Sequence, residues 1–450
     1  MLPIIILRNN VNSLFRRNIF DDTKTALHSL RYLCSRTDDN DNLPARPPRR
    51  TPIRALKKQK HESKNTGIED IMIDSSELKQ KVKNENIEKL LDNMMTGVGQ
   101  QDPDLEQFPS DLEEYNRWKA TQADQKARTR IDPETTSIAL FPGQGSQFVG
   151  MGKRLLMFEG VKELYDHASE ILNYDLLKLC LSGPKSELDK TIHCQPAVFV
   201  TSVAAIEKMK EENFQTTVAA AGFSVGEFAA MVFAQMMSFE DGKRLEFSLI
   251  KIRAEEMQKA SDATPGGMLT VFCYYGTDLK LAMNTAKEYC ITKHNIRNPV
   301  CQVANYLYQE TCVIAGHQEA LTFIEQHYKD FGIRRVVRIP VSGAFHTELM
   351  MPAKQPFMRA LKSIRVESPK LKVFSNVDAS SIRVNDQFAK NMCNQIVKPV
   401  KWEQIMYKLY MRDRQEKHPF TYECGPGYQL GTFLRKLNNK AYKNYRQIEV

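Results

Sequence analysis

The sequence predicts an α/β protein with a larger subdomain built on a parallel sheet and a smaller subdomain inserted into it. Two observations favour this fold class. From residue 137 onward, short apolar runs alternate with segments of helical period, which is typical of a parallel sheet covered by helices on both faces. Within residues 264–341 the order becomes β-α-β-β-α-β, the pattern of a ferredoxin-like unit. We expect an active-site cleft between the two subdomains.

Apolar patterning predicts the individual elements. In the larger subdomain, strands are expected at 137–141, 216–221 and 371–375, and helices at 161–172, 197–209, 242–260 and toward the C-terminus. In the inserted subdomain, strands are expected at 268–274, 301–306, 311–315 and 334–339, and helices at 278–289 and 318–329.

The N-terminal third differs in composition. Residues 1–36 carry Arg8, Arg16 and Arg17 but no acid before Asp21, which predicts a mitochondrial transit peptide. An ordinary disordered terminus is the alternative, and a secretory signal is disfavoured because two arginines interrupt its apolar region. Residues 37–136 are polar and Pro-rich, which predicts a largely disordered linker with short helices at 87–95 and 112–127. Its basic clusters lack interleaved aromatics, so we expect no nucleic-acid partner.

Composition excludes several function classes. No apolar run reaches about 18 residues, so no membrane span is expected. The nine cysteines are scattered without a C-x-x-C pair, which favours reduced thiols, and no Cys/His cluster has the spacing of a metal site. Residues 1–135 contain 23 basic and 22 acidic residues, and the remainder contains 40 and 32. The basic excess of the folded part indicates an acidic partner or an anionic substrate.

The pentapeptide at residues 222–226 has the form G-x-S-x-G and lies between a predicted strand and a helix. This is the nucleophile elbow of α/β-hydrolase-like folds, a sharp turn that exposes a serine hydroxyl. Ser224 is therefore the candidate nucleophile, and the backbone N–H of Val225 is a candidate oxyanion donor. A second donor is expected from the Gly143–Gln147 loop, which follows the first strand.

A serine nucleophile needs a base, and His346 is the strongest candidate because its loop follows the last strand of the inserted subdomain. The α/β-hydrolase order requires an acid between the serine and the histidine. Asp262 and Asp278 are available but unmarked, and Asp378 lies on the wrong side of the histidine. A neutral acceptor is the alternative for orienting the imidazole.

Arg253 lies on the helix expected at 242–260. An arginine in such a helix is commonly a solvated surface residue. If it points into the cleft instead, its guanidinium can bind a carboxylate through two parallel hydrogen bonds and so select an acyl group that ends in one.

Five motifs occur in order along the chain and together resemble one family: residues 142–147 (PGQGSQ), 222–227 (GFSVGE), 252–253 (IR), 343–346 (GAFH) and 425–427 (GPG). They are similar to those of the malonyl-CoA:acyl carrier protein transacylases and of the acyltransferase domains of fatty acid and polyketide synthases. The resemblance covers about residues 137–440. With a transit-like N-terminus, it is closest to the mitochondrial stand-alone enzymes.

The resemblance implies roles for the candidate residues. Ser224 would form a malonyl ester, His346 would be its base, and Arg253 would hold the malonyl carboxylate. The backbone amides of Gln144 and Val225 would form the oxyanion hole. The family typically uses a Ser–His dyad without an acidic third member.

Two further residues match the family and two positions depart from it. Gln395 matches a glutamine near the histidine, and Phe345 matches members that favour malonyl over bulkier or uncharged groups. Phe223 replaces a common histidine, and Leu307 stands where bacterial members often have a second asparagine.

The resemblance also implies the partners. Malonyl-CoA would acylate the serine, and an acidic acyl carrier protein would accept the malonyl group on its own phosphopantetheine, so no cofactor is expected. We expect a monomer in the mitochondrial matrix. A basic C-terminal edge is a candidate docking site, with a solvated helix as the alternative: Arg435, Lys436, Lys440, Lys443 and Arg446.

Two other functions stay open on the residues alone. A thioesterase or lysophospholipase of the same architecture would use the same elbow, but a lipid hydrolase has no use for a buried cation at Arg253. A catalytically silent assembly protein would have kept only the fold, which the intact serine, histidine and arginine argue against.

Overall fold

The structure is a computed structural model that describes residues 134–212, 214–237, 239–341, 343–410 and 417–450, with the backbone alone at 239–245. The predicted transit peptide (1–36) lies outside the described residues. So do nearly all of the predicted linker and its short helices at 87–95 and 112–127.

The described residues form ten strands and thirteen α-helices. The strands are Thr136–Phe141 (β1), Thr216–Gly222 (β2), Gly266–Cys273 (β3), Cys301–Tyr308 (β4), Thr311–His317 (β5), Ile333–Ile339 (β6), Lys372–Phe374 (β7), Val400–Lys401 (β8), Phe420–Cys424 (β9) and Tyr445–Ile448 (β10). The helices are Val161–Leu172 (α1), Leu176–Ser182 (α2), Lys185–Leu188 (α3), Thr191–Glu211 (α4), Gly226–Phe233 (α5), Phe239–Ala263 (α6), Leu279–His294 (α7), Gln318–His327 (α8), Met351–Lys362 (α9), Phe388–Asn394 (α10), Trp402–Tyr410 (α11), Gln429–Leu437 (α12) and Asn439–Tyr442 (α13).

The larger sheet has the order β10-β9-β1-β2-β7, and all of its strand pairs are parallel. Strand β1 lies at the centre and every one of its residues is buried, as expected for a strand covered on both faces. The predicted parallel α/β architecture is therefore confirmed. Because parallel strands end at the same edge, the residues that follow β1, β2 and β7 meet there.

The second sheet has the order β6-β3-β5-β4-β8. Its first four strands and helices α7 and α8 follow the predicted β-α-β-β-α-β order, and the pairs among those four strands are antiparallel. The fifth strand, β8, comes from the returning chain and pairs in parallel with β4. The chain thus passes from β7 of the larger sheet to β8 of the second sheet, and Gln395 lies on this connection.

The region after residue 371 departs from the expectation of one strand followed by helices. Strands β8, β9 and β10 were not predicted from the pattern. Strand β8 has only two residues and carries no periodicity. In β9, Thr421 and Glu423 are both fully buried polar residues, so the strand lacks a continuous apolar run.

The elbow between β2 and α5 requires glycine on both sides of the serine. A Cβ on Gly222 would lie 1.9 Å from the carbonyl carbon of Gly226, and a Cβ on Gly226 would lie 2.2 Å from the carbonyl oxygen of Phe141. Real Cβ atoms do not approach other atoms so closely, so the chain can turn here only without side chains.

We predict that Gly222→Ala lowers the free energy of unfolding by about 3 kcal/mol, because the methyl group collides with backbone that cannot yield. Gly276→Ala is the control: Gly276 has φ +83° and no atom within 4 Å of a Cβ. It should cost only about 1–2 kcal/mol of backbone strain. Urea unfolding, monitored by circular dichroism, measures the free energy of unfolding of both variants. An equal decrease in the two would contradict the collision.

Candidate active site

Ser224 is held at the tip of the elbow with a left-handed backbone, φ +53°. Both sides of its backbone are hydrogen-bonded: its N–H donates to Oδ1 of Asn376 at 2.7 Å, and its carbonyl accepts from Nε2 of Gln395 at 2.8 Å. A non-glycine residue in this conformation is strained, so the surrounding bonds must hold it there. The serine hydroxyl thereby faces the space beyond the carboxyl ends of the parallel strands.

The structure brings His346 to the serine. Its Nε2 lies 2.9 Å from Ser224 Oγ, and its Nδ1 lies 2.7 Å from the backbone carbonyl of Gln395. A carbonyl only accepts, so Nδ1 carries the proton and Nε2 has a free lone pair for the serine proton. The neutral acceptor expected as the alternative to an acid is thus the carbonyl of Gln395.

None of the three aspartates considered from the sequence binds the Nδ1 of His346. Asp262 accepts from the side chain of Gln258 on α6, Asp278 caps the N-terminus of α7, and Asp378 is bonded within its own turn. Each of these aspartates hydrogen-bonds within its own helix or turn, so none of them orients the imidazole.

Burial and, to a smaller extent, the neighbouring Arg253 cation lower the pKa of His346 from its usual 6.5 to about 4. Hydrogen bonds to the backbone of Gln395 and Lys398 oppose this shift. The imidazole is therefore neutral at pH 7, the form that can take a proton from the serine.

Arg253 is fully buried, so the alternative of a solvated surface arginine is wrong. Its Nη2 donates to Ser224 Oγ at 3.1 Å and to Oε1 of Gln395 at 2.9 Å, and its Nη1 donates to Oε1 of Gln195. Its Cζ lies 5.6 Å from the centre of the Phe228 ring. The cation thus lies beside the candidate nucleophile.

The guanidinium keeps donors for a ligand. Of its five N–H groups, three are used by these neighbours, and Nε has no partner among the described residues. Burial lowers the pKa of Arg253 to about 9, opposed by the charge of Glu227, so the side chain is still a cation at pH 7. A carboxylate arriving here would be bound by a desolvated charge.

Of the two candidate oxyanion amides, that of Val225 belongs to the elbow itself and that of Gln144 to a loop beside it. The Gly143–Gln147 loop packs closely on it, since a Cβ on Gly143 would lie 2.4 Å from the carbonyl oxygen of Phe223. The side chain of Gln144 is anchored by Thr191 at 3.3 Å. Val225 directly precedes α5, where N–H groups have no acceptor within the helix.

Aromatic residues form the apolar surroundings of the site. Phe345, next to the histidine, is buried in the main apolar cluster. Phe223, the residue before the nucleophile, packs edge-on against Trp402 with ring centres 5.4 Å apart, and its ring centre lies 6.1 Å from that of Phe433. The side chain before the nucleophile therefore packs into the protein rather than facing the hydroxyl.

Three residues of the site were not predicted from the sequence. Gln195 binds Arg253, Asn376 binds the serine N–H, and Glu227 binds Gln395. Asn376 follows β7 at the carboxyl edge of the sheet, and this position could have marked it. Glu227 stood in the quoted motif without a role. Gln195 lies in the part of α4 that precedes the predicted helix start, and nothing in the sequence marked it.

The described residues contain no group of three or more His, Cys, Asp or Glu side chains that could hold a metal ion. The arrangement that they do contain is a hydroxyl that lies within hydrogen-bonding distance of both a neutral imidazole and a buried cation. Such a set can form and break an acyl ester on Ser224.

Comparisons with known proteins agree with this chemistry. A family model described as "Acyl transferase domain" matches residues 139–417. The "Malonyl-CoA-acyl carrier protein transacylase, mitochondrial" of Homo sapiens is 47% identical over 341 residues, which are 75% of this chain and 84% of that protein.

Solved structures are similar as well. The malonyl CoA-acyl carrier protein transacylase of Coxiella burnetii matches with a TM-score of 0.62 and 28% identity over 71% of this chain and 95% of that one. A structure of a type II PKS acyl-carrier protein in complex with its malonyl-transacylase matches with a TM-score of 0.60 and 27% identity, covering 69% of this chain and 94% of that chain.

We predict that Arg253→Met raises the pKa of His346 above about 4, because a cation that opposes the imidazolium is removed while burial remains. Titration of ¹⁵N-labelled histidine by NMR measures the shift. Arg338→Met is the control, since Arg338 is paired with Glu325 on the inserted subdomain. A pKa of His346 that stays the same or falls in Arg253→Met would contradict the assigned electrostatics.

Proposed function

This chain belongs to the acyltransferase family of the malonyl-CoA:acyl carrier protein transacylases, and we propose that it transfers malonyl from malonyl-CoA to an acyl carrier protein. The malonyl group would travel as an ester on Ser224, in mitochondrial fatty acid synthesis. The observation that carries this proposal is the buried guanidinium of Arg253, 3.1 Å from the serine hydroxyl.

In the first half-reaction, Ser224 Oγ attacks the thioester carbonyl while Nε2 of His346 takes its proton. The negative charge on the carbonyl oxygen is stabilised by the backbone amides of Val225 and Gln144. The C–S bond then breaks, and the imidazolium returns the proton to the CoA sulfur. In the second half-reaction, the phosphopantetheine thiol of the carrier protein gives its proton to His346 and attacks the ester carbonyl. The C–O bond to the serine then breaks, and the imidazolium returns the proton to Ser224 Oγ.

Arg253 would bind the free carboxylate of the malonyl group. A hydrogen bond to a charged group contributes about 1.5–3 kcal/mol, and the dry surroundings of this cation favour the upper end. A hydrolase acting on uncharged lipid esters would gain nothing from this buried cation, so the arginine argues against that alternative.

Protection of the ester from water is part of the proposed function. Only 8% of Ser224 and 4% of His346 are exposed. A nearly closed site lets an incoming thiol compete with water for the ester.

The basic C-terminal edge is the proposed docking site for the acidic carrier protein. Helix α12 packs beside the elbow through Phe433, which contacts Phe223. The five basic residues of this edge are all exposed: Arg435, Lys436, Lys440, Lys443 and Arg446. Opposite charges would steer the carrier protein toward the site and make its binding sensitive to salt.

Four further points of the proposal concern location and assembly. We place the protein in the mitochondrial matrix, with residues 1–36 as transit peptide and residues 137–450 as the transferase domain. We propose that it works as a monomer and needs no resident cofactor, since phosphopantetheine is carried by the partner. We propose no nucleic-acid partner. None of the described helices is long and apolar enough to cross a bilayer.

Replacing the nucleophile tests the proposal. We predict that Ser224→Ala abolishes covalent labelling by radioactive malonyl-CoA, because it removes the hydroxyl that lies 2.9 Å from Nε2 of His346 and 3.1 Å from Nη2 of Arg253. Ser137→Ala is the control, a buried serine at the far edge of the sheet that donates to the Gln215 carbonyl. It should label as the wild type does. Covalent label that persists on Ser224→Ala would rule out this serine.

A further inference from the structure

Glu227 is a fully buried carboxylate directly behind the nucleophile, and no step of the reaction above uses it. It lies in the first turn of α5, three residues after Ser224. Its Oε2 accepts from Nε2 of Gln395 at 2.7 Å, and its Oε1 accepts from the backbone N–H of Asn376 at 3.2 Å. Each oxygen therefore binds a different element of the fold.

Each of these two partners also binds one side of the serine backbone. Gln395 donates from the same Nε2 to the carbonyl of Ser224 at 2.8 Å, and Asn376 accepts from the N–H of Ser224 at 2.7 Å through Oδ1. Asn376 is itself fixed by donating to the Gly222 carbonyl at 2.7 Å. Glu227 thus closes two hydrogen-bonded rings around a residue with φ +53°.

Glu227 also determines which way the Gln395 amide points. Both N–H groups of that amide are used, by Glu227 and by the Ser224 carbonyl, and its Oε1 accepts from Arg253 at 2.9 Å. The reversed amide would set its oxygen against two acceptors and its N–H groups against the guanidinium.

The hydrogen bonds around Glu227 favour an ionised carboxylate, whereas its burial opposes the charge. Burial raises the pKa of Glu227 to about 8, and the hydrogen bonds from Gln395 and Asn376 and the charge of Arg253 limit the rise. Asp378, the other charged group acting on it, favours the neutral form. Both hydrogen-bonding neighbours of the carboxyl oxygens are donors, so a proton on either oxygen would compete with one of them.

We propose that Glu227 is a positioning residue that holds Ser224 in its attacking conformation by fixing Gln395 and Asn376. The proposal rests on the proposed role of Ser224 as nucleophile. The alternative is a carboxylate that only stabilises the first turn of α5. In that case its loss would lower the stability of the fold but not the reactivity of correctly folded molecules.

Glu227→Gln separates these possibilities, because one amide oxygen can accept from Gln395 or from Asn376 but not from both. Two acyl donors are compared by rapid mixing: malonyl-CoA, and p-nitrophenyl acetate, which has no carboxylate. We expect the rate constant of the acylation burst to fall about 10- to 100-fold with both donors, since one donor is left buried and unpaired. The burst amplitude, which counts active sites, should stay at one per folded molecule.

Two further variants complete the test. Glu227→Asp keeps the carboxyl group but cannot reach both partners, so the same fall is expected. Glu423→Gln is the matched control: Glu423 is equally buried and accepts from the N–H groups of Leu430 and Gly431 at 3.0 and 2.8 Å. It should lower the melting temperature and leave the burst rate constant unchanged.

Three results would overturn the proposal. Wild-type burst rate constants in both Glu227 variants, with lower amplitude or melting temperature, would leave only a structural role. A loss confined to malonyl-CoA would mean that Glu227 acts through Arg253 and not through the serine. If the wild type itself forms no ester on Ser224, the proposed function fails as well. If the wild type is acylated normally and the Glu227 variants have the same burst rate constant, only the positioning role is removed.

Discussion

The burial of one guanidinium is the constraint on which the rest of the site depends. Moving a charge out of water is costly unless the charge is hydrogen-bonded where it is buried. Arg253 is fully buried and donates to Gln195, Gln395 and Ser224, which lie on α4, in the segment before β8 and on the elbow. The cation therefore ties together parts of the chain that are far apart in sequence. It also helps to keep the imidazole of His346 neutral.

The two residues of the dyad share a second constraint. Ser224 and His346 both have a left-handed backbone, with φ +53° and +61°. Neither is glycine, so each is held in this conformation by its surroundings. For the serine, those surroundings are Asn376 and Gln395. The histidine is oriented by the peptide carbonyl of Gln395. Unlike an aspartate, this carbonyl carries no negative charge that would repel the carboxylate of malonyl.

The sequence was sufficient for features that local chemistry determines. The elbow could be predicted because its glycines are required by collisions within five residues. The parallel sheet and the β-α-β-β-α-β order could be predicted because their strands are apolar and separated by helical periods. The proximity of Ser224 and His346 followed from the positions of both after strands. Residues whose role depends on a distant partner could not be predicted: Gln195 and Glu227 are defined by Arg253 and Gln395, which lie 58 and 168 positions away.

The central claim is that Arg253 recognises the carboxylate of the acyl group, and comparing two acyl donors on Arg253→Ala tests it most directly. The rate of acylation of Ser224 by malonyl-CoA and by acetyl-CoA is measured for the wild type, for Arg253→Ala and for Arg338→Ala as control. Losing a buried charge-assisted pair should slow malonyl transfer by about 100-fold or more and acetyl transfer far less. The control should leave both rates unchanged. Equal losses with the two donors in Arg253→Ala would contradict the account.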